Sequence, residues 1–459
     1  MPRALNKAGL ISVLYSNTCR LRKLKCDEAT PICQRCEKSG RYCDRSTTSI
    51  KIYPYSGQSS PGGVAATTSS NKFPSPVNPR RALSSPHVAR YFHHYIIHIA
   101  PWYDLSDASM LFGTQLPAMA LDSELLFSAM VALSAIHIAN TTAPTTRAAA
   151  EFYHGCCIRL LIGLEDSDLV NIGGTALATT CLLRSYEILA EEEDPNRHLQ
   201  GAYSLASQQK LLLNRLHDGL VARGFWNYLR EDITFSLYTQ SSLKMDLDTV
   251  PALTEFTTDQ CYLNSISLIL GRIVNATFGM TITEQKWIDL FNQVQAWRAC
   301  LPKRIEPYSR IQDSGPVPMH LPSIWTLQDC HAAALHYHLV SLSVLAVYAA
   351  PSQLTELLQM TEGRVTTRAD LLEQYALDIC GIAFTTNSAP VIVNFFGPIA
   401  YCGRFIHGDA SRQEVIRRLH SCKSTTGWPV NRLIKKLEEI WQSSAPEAAQ
   451  ETGRSGESG

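Results

Sequence analysis

The chain has 459 residues, with 41 Lys and Arg against 41 Asp and Glu, so its formal net charge is zero. That balance excludes a surface that is basic throughout; basic character has to be local, with a slightly acidic remainder. No uncharged apolar run of 18 residues stands out as a membrane span, and the length suits a small module plus one large domain or two.

Residues 1–15, MPRALNKAGLISVLY, have the outline of a short targeting segment. Their apolar part, Gly9 to Tyr15, is at the short limit for a signal and lacks a cleavage site.

The next stretch carries the strongest signal. Cys19, Cys26, Cys33, Cys36 and Cys43 fall within CRLRKLKCDEATPICQRCEKSGRYC. The second half reads Cys-x2-Cys-x6-Cys, and the first half repeats the x6 spacing between Cys19 and Cys26. The repeat calls for a cysteine at position 16, where the chain has Ser16. Thiolates this dense, in a segment too short to bury a core, point to structural zinc, which takes four soft ligands tetrahedrally. Six thiolates hold two zinc ions if two sulfurs bridge; five need a substitute ligand. A disulfide framework would suit an even count in a secreted chain, and this segment has five cysteines. From Cys19 to Arg45 there are eight Lys and Arg against four Asp and Glu. Arg20, Arg22, Lys23 and Lys25 crowd the first half. Basic side chains interleaved with metal ligands suit a short helix in the DNA major groove, with Lys or Arg on guanine and the remaining cations on phosphates.

These residues resemble the fungal binuclear zinc cluster transcription factors, whose pattern is Cys-x2-Cys-Arg-x-Arg-Lys-x-Lys-Cys-Asp, a proline-containing loop, then Cys-x2-Cys-x6-Cys. Here the matching positions are Cys19, Arg20, Arg22, Lys23, Lys25, Cys26, Asp27, Pro31, Cys33, Cys36 and Cys43. The resemblance implies two zinc ions, bridged by the first and fourth cysteines. Cys33 matches the fourth, and Ser16 stands at the first, so the departure touches both metal sites. It also implies that Lys23 reads a guanine-rich triplet beside Arg22, with Arg20 and Lys25 nearer the phosphates and the cluster. Ser16 and the atypical first 15 residues together suggest a misplaced start or a retained intron. The expected cluster domain is 16–45.

Residues 46–86, rich in Ser, Thr, Pro and Gly, read as a disordered linker. They hold no apolar heptads, so a homodimer, if formed, is expected without a coiled coil. Tyr53, Tyr55 and Phe73 are isolated aromatics there. Residues 87–443 read as one large helical domain. Helical periodicity marks 87–99, 122–139, 145–165, 173–192, 197–214 and 217–241, then 259–278, 282–300, 324–349, 367–386 and 427–443. Residues 125–139 are apolar nearly all round and predict a central buried helix, capped by Asp122 or Ser123. Residues 301–322 are proline-punctuated and predict a surface loop, and 444–459 a disordered tail. The fold class is therefore all-α. The family commonly follows its cluster with such a helical regulatory domain. The other nine cysteines, at 156, 157, 181, 261, 300, 330, 380, 402 and 422, read as buried thiols of a reducing compartment.

Enzyme chemistry has no motif behind it. His93, His94 and His98 form one histidine group, and His331, His336 and His338 another. Without acidic partners at metalloprotease spacing, both read as packing or surface residues. Gly173 and Gly174 lack a phosphate-loop frame and read as a helix start. Trp102, Trp226, Trp287, Trp297 and Trp325 read as core or interface anchors. Two functional readings follow. One is a nuclear, zinc-dependent regulator that binds double-stranded DNA and the transcription machinery, with no membrane. The other is a helical scaffold whose degenerate cluster no longer binds DNA.

Overall fold

The structure is a computed structural model that describes residues 18, 33–41, 73–164, 166–191, 196–208, 219–248, 250–253, 255–279, 281–312, 320–361 and 365–443. It divides into two units, Met1–Lys51 and Ile52–Gly459. In the first, the helix α1 spans Gln34–Lys38, and Thr18 is also helical.

The second unit is helical. It begins with α2 (Pro79–Ala82) and α3 (Pro86–His94), a π-helical turn (Tyr95–Ile99), α4 (Ala100–Asp104) and α5 (Gln115–Ala120). Then come α6 (Glu124–Thr141), α7 (Arg147–Ile162), α8 (Asp166–Ala190), α9 (Arg197–Gln208) and α10 (Gly219–Thr239). After these run α11 (Asp259–Phe278), α12 (Glu284–Ala299), α13 (Asp329–Val347) and α14 (Pro351–Gln359). The unit closes with α15 (Arg368–Thr386), α16 (Ala389–Cys402), α17 (Asp409–Thr426) and α18 (Val430–Ser443).

Two helices organise the core. Helix α6 is buried continuously from Leu125 to Ile138 and is wrapped by α7 and α8, with α3 and α17 on other sides. Ser123 caps it, its hydroxyl accepting the Leu126 N–H at 3.4 Å. Helix α13, buried from Cys330 to Ala346 except at Leu339, is enclosed by α11, α15 and α16. Both helices are long and apolar enough to cross a membrane, and 83% and 89% of those segments lie buried inside the protein. A helix that is apolar all round satisfies itself equally well inside a large core. Helix α10 packs on α8, α11 and α16.

The structure departs from the sequence reading in several places. Part of the expected linker is ordered. The Tyr153 hydroxyl donates to the Pro74 carbonyl at 2.8 Å, Phe73 packs on Phe152, and Asn78 caps α2. Residues 46–72, with Tyr53 and Tyr55, lie outside the described residues, as does the tail 444–459. The helix expected over 324–349 starts at Asp329, because 323–325 is extended. Strand β2 (Ser323–Trp325) pairs antiparallel with β1 (Ser309–Ile311), a strand inside the expected loop. Arg310 grips Asp378 of α15 through two bonds of 2.7 and 2.9 Å, and the Thr385 hydroxyl accepts the Ile324 N–H. Gly174 lies inside α8, where an added Cβ would come within 3.1 Å of Val221, so it serves helix packing and does not start the helix. Helices α2, α4, α5, α14, α16 and α17 were not anticipated. Seven of the nine outlying cysteines are buried, Cys261 is half-buried and Cys300 exposed. Of the five tryptophans singled out above, Trp102, Trp226, Trp287 and Trp297 are buried, while Trp325 is 41% exposed on the β-pair.

Where α16 crosses α10, a Cβ on Gly397 would lie 2.6 Å from the Thr234 Cα and 2.8 Å from its carbonyl oxygen. Both atoms are backbone, so the helices would have to part. Gly397→Ala is expected to cost about 1–3 kcal/mol in denaturant unfolding. Gly155→Ala, whose nearest neighbour is the Arg159 guanidinium at 3.8 Å, should instead gain about 0.5–1 kcal/mol from helix propensity.

Burial also sets a pH dependence. His336 and His338 on α13 are pushed down to about 3 by desolvation. An unfolded imidazole titrates near 6.5. Their stability contribution is therefore complete above about pH 6.5 and is lost as pH falls towards 3, since only the unfolded chain takes up those protons. Asp104 works in the opposite direction. Burial raises it to about 7, so acidification below that relieves a cost. The melting temperature should fall between pH 7 and pH 5. The double variant His336→Gln, His338→Gln should show a flatter profile, each histidine accounting for about 2 kcal/mol or less at pH 5.

Candidate metal centre and nucleic-acid interface

Helix α1 is built around two thiols. Cys33 is its extended N-cap, and its Sγ accepts the Cys36 N–H at 3.4 Å. The helix then stops in a Schellman arrangement. Arg41 N–H donates to the Cys36 carbonyl and Gly40 N–H to the Glu37 carbonyl, both at 3.0 Å, with Gly40 at φ +59°. That left-handed position favours glycine.

Cys33 and Cys36, three residues apart, fall on one face and are fully buried. Every other residue from Gln34 to Arg41 is exposed, including the cations Arg35, Lys38 and Arg41. Among the described residues here, only the N-cap Cys33 and Cys36 of the five-residue helix are buried. The donor set suits zinc: two soft sulfurs at the spacing of a metal knuckle, one of them accepting a backbone N–H. Ser16, Cys19, Cys26 and Cys43 lie outside the described residues, as do Arg20, Arg22, Lys23 and Lys25.

The histidine groups of the helical unit separate by environment. His331 bonds Asp259 at 2.9 Å, and Asp259 also accepts from Arg304 at 2.7 Å. His338 stacks on Trp297, while His336 lies edge-on to Phe395. His93 is exposed. His94 and His98 lie together, with ring centroids 4.5 Å apart, and His94 also meets His137 of α6. His137 was not singled out from the sequence; its one signal was a polar residue inside an otherwise apolar helix. Among the described residues no three metal-ligating groups are already gathered around one point.

Residues 90–449 match the family described as the fungal specific transcription factor domain. The chain belongs to this family. Residues 17–51 also match the fungal Zn(2)-Cys(6) binuclear cluster domain, so this member carries the zinc-cluster module ahead of its helical domain. The cluster match begins one residue after Ser16. No curated protein and no solved structure matches the chain. This member of the family is a fungal zinc-cluster transcription regulator, and its cluster domain implies binding of zinc and DNA. Both matched families are transcription-factor domains rather than enzyme families.

Removing the capping thiol tests the metal centre. Cys33→Ala deletes a fully buried sulfur and one of the two acceptors of the Cys36 N–H, the other being the Cys33 carbonyl. The variant is expected to lose its cysteine-bound zinc, read by atomic absorption and by thiol titration, while the helical unit keeps its melting temperature.

Proposed function

We propose that the protein is a zinc-dependent, sequence-specific regulator of RNA polymerase II transcription, acting in the nucleus on a fungal metabolic or biosynthetic pathway. The reading assigns 16–45 to DNA binding and 87–443 to regulation. Two zinc ions are held by Cys19, Cys26, Cys33, Cys36 and Cys43, with a substitute donor at the Ser16 position. Lys23 reads a guanine of a CGG-type triplet, flanked by Arg22, and Arg20 and Lys25 lie nearer the phosphates and the cluster. The observation that carries the reading is the α1 segment. Its two buried thiols sit at knuckle spacing within a chain that matches the cluster domain over 17–51. The exposed cations Arg35, Lys38 and Arg41 add positive charge on the side away from the sulfurs. A homodimer and contacts with the transcription machinery are part of the proposal; the sequence offers no coiled coil for the former.

One observation favours the scaffold reading. Ser16 occupies the first ligand position, and a neutral hydroxyl is a poor zinc ligand. DNA titration separates the two. On a CGG-containing duplex, Lys23→Ala should lose about 1–3 kcal/mol of discrimination against a scrambled control. Arg20→Ala should weaken both duplexes alike and reduce the salt dependence by about one unit. Equal losses on both duplexes for Lys23→Ala would move the reading role to Arg22 or Lys25. No salt-dependent binding by the wild-type chain would leave the scaffold.

A further inference from the structure

The region around His94 has an unusual backbone. Tyr95–Ile99 is π-helical, and Ala100 N–H reaches back to the Tyr95 carbonyl, five residues away. Pro101 follows at the start of α4. Its ring and missing N–H disfavour a regular α-turn there, and widening the turn relieves the clash. Such wide turns collect at functional sites. Here the turn places His98 beside His94, the first exposed and the second half-buried.

Across from them stands His137. Its Nε2 lies 3.1 Å from the Thr425 carbonyl, which can only accept, so Nε2 carries the proton and Nδ1 presents a bare lone pair. That lone pair faces the His94 Nε2 at 2.9 Å. A ring nitrogen aimed at a neighbour, with the other nitrogen tied to a backbone carbonyl, is the arrangement of a metal-ligating histidine. The tie is firm. Thr425 is in the last turn of α17, which ends at Gly427 with φ +66°, and the Asn140 side chain bonds the Gly427 carbonyl at 3.1 Å. Trp102 lies edge-on to the His137 ring, a dry wall on that side. Burial, and then the neighbouring imidazoles, push His94 down to about 3; burial pushes His137 to about 4.

We propose that His94, His98 and His137 take up one divalent transition-metal ion of the zinc class, separate from the cysteine cluster. Two nitrogens on a tetrahedral zinc are about 3.3 Å apart at bonds of 2.0–2.1 Å. The 2.9 Å pair has to open by only a few tenths of an ångström. The proton on His94 Nε2 moves to its Nδ1, so the change is one of tautomer and no net proton is released. His98, on the surface, swings in as third ligand, and water fills the fourth position. The bound ion would tie α3 and its π-turn to α6, and through His137 to the end of α17.

The test uses the full-length chain, stripped of metal, reloaded with zinc(II) and gel-filtered. Zinc per chain is counted for wild type, His98→Ala, His94→Gln and the exposed neighbour His93→Ala. The expected result is one zinc fewer in the first two variants and no change in His93→Ala. Cobalt(II) substitution monitors the cysteine site separately through its thiolate charge-transfer band, which should be the same in all four. Zinc should also raise the melting temperature of wild type by a few degrees more than that of His98→Ala. If His94→Gln does not fold, His98→Ala decides alone, because that side chain is exposed. Equal zinc counts in wild type and His98→Ala, with equal thermal shifts, would overturn the proposal. Zinc held by the histidines but not by the cysteines would leave it standing while removing the cluster.

Discussion

Helices α6 and α13 have almost no polar face, and that constraint governs the helical unit. An apolar cylinder cannot lie on a surface; neighbours must enclose it on every side. Helix α6 recruits α3, α7, α8 and α17, and α13 recruits α11, α15 and α16. Most of these outer helices need only one apolar side and read as amphipathic or charged, whereas α16 is itself apolar nearly all round. Helix α18, which packs on α16 and α17, shows one-sided burial most clearly, with Val430, Leu433, Ile434, Leu437 and Trp441 inward and Arg432, Lys435 and Glu439 outward. Helix α10 serves both clusters and carries an unusual polar load for a core helix. Its buried Arg230 donates to Asn227 and Ser106, and its buried Asp232 accepts from the Tyr228 hydroxyl and the Lys244 and Met245 N–H groups. Those bonds hold the chain leading out of α10 against the helix that precedes it.

The cluster module obeys the opposite rule. Among the described residues of this segment only Cys33 and Cys36 are buried, so helix α1 itself contributes little apolar area to offset chain ordering. Metal–thiolate bonds of the kind its cluster domain implies would add to the backbone devices of α1, the thiol cap and the glycine stop. One chain thus combines a domain stabilised by area with a module stabilised by ligation.

The elements most legible in sequence were those whose pattern had one cause. Helix α11 has the bounds read from its periodicity, 259–278, and the cap of α6 was one of two candidates. The cysteine spacing pointed to the matched cluster domain, because ligand geometry leaves little freedom in spacing. Helix α16 was hidden. APVIVNFFGPIAYC is apolar all round, so it has no period, and Pro398 suggests a break. Helix α17 failed for the reverse reason, since Val415, Leu419, Cys422 and Thr426 are its only buried residues, too sparse a stripe to stand out. The β-pair depends on partners far along the chain, Asp378 and Thr385, which no local window contains. The same holds for His137, whose contacts come from residues 43 positions before it and 288 after.

Enclosure on all sides has a cost in uniqueness. A helix that is equally apolar at every angle can rotate about its own axis and still bury the same area, so hydrophobicity alone leaves a family of near-equal packings. The polar residues scattered along α6 and α13 remove that degeneracy. His137 must face Thr425, and Asn140 must face both the Leu189 and Gly427 carbonyls. On α13, His331 must face Asp259, and Asp329 must face the Ser388 hydroxyl. Each pair satisfies its bond at one azimuth only. These few side chains add little to the total driving force. They act as keys that choose one rotation out of many, turning two greasy rods into parts with a defined orientation.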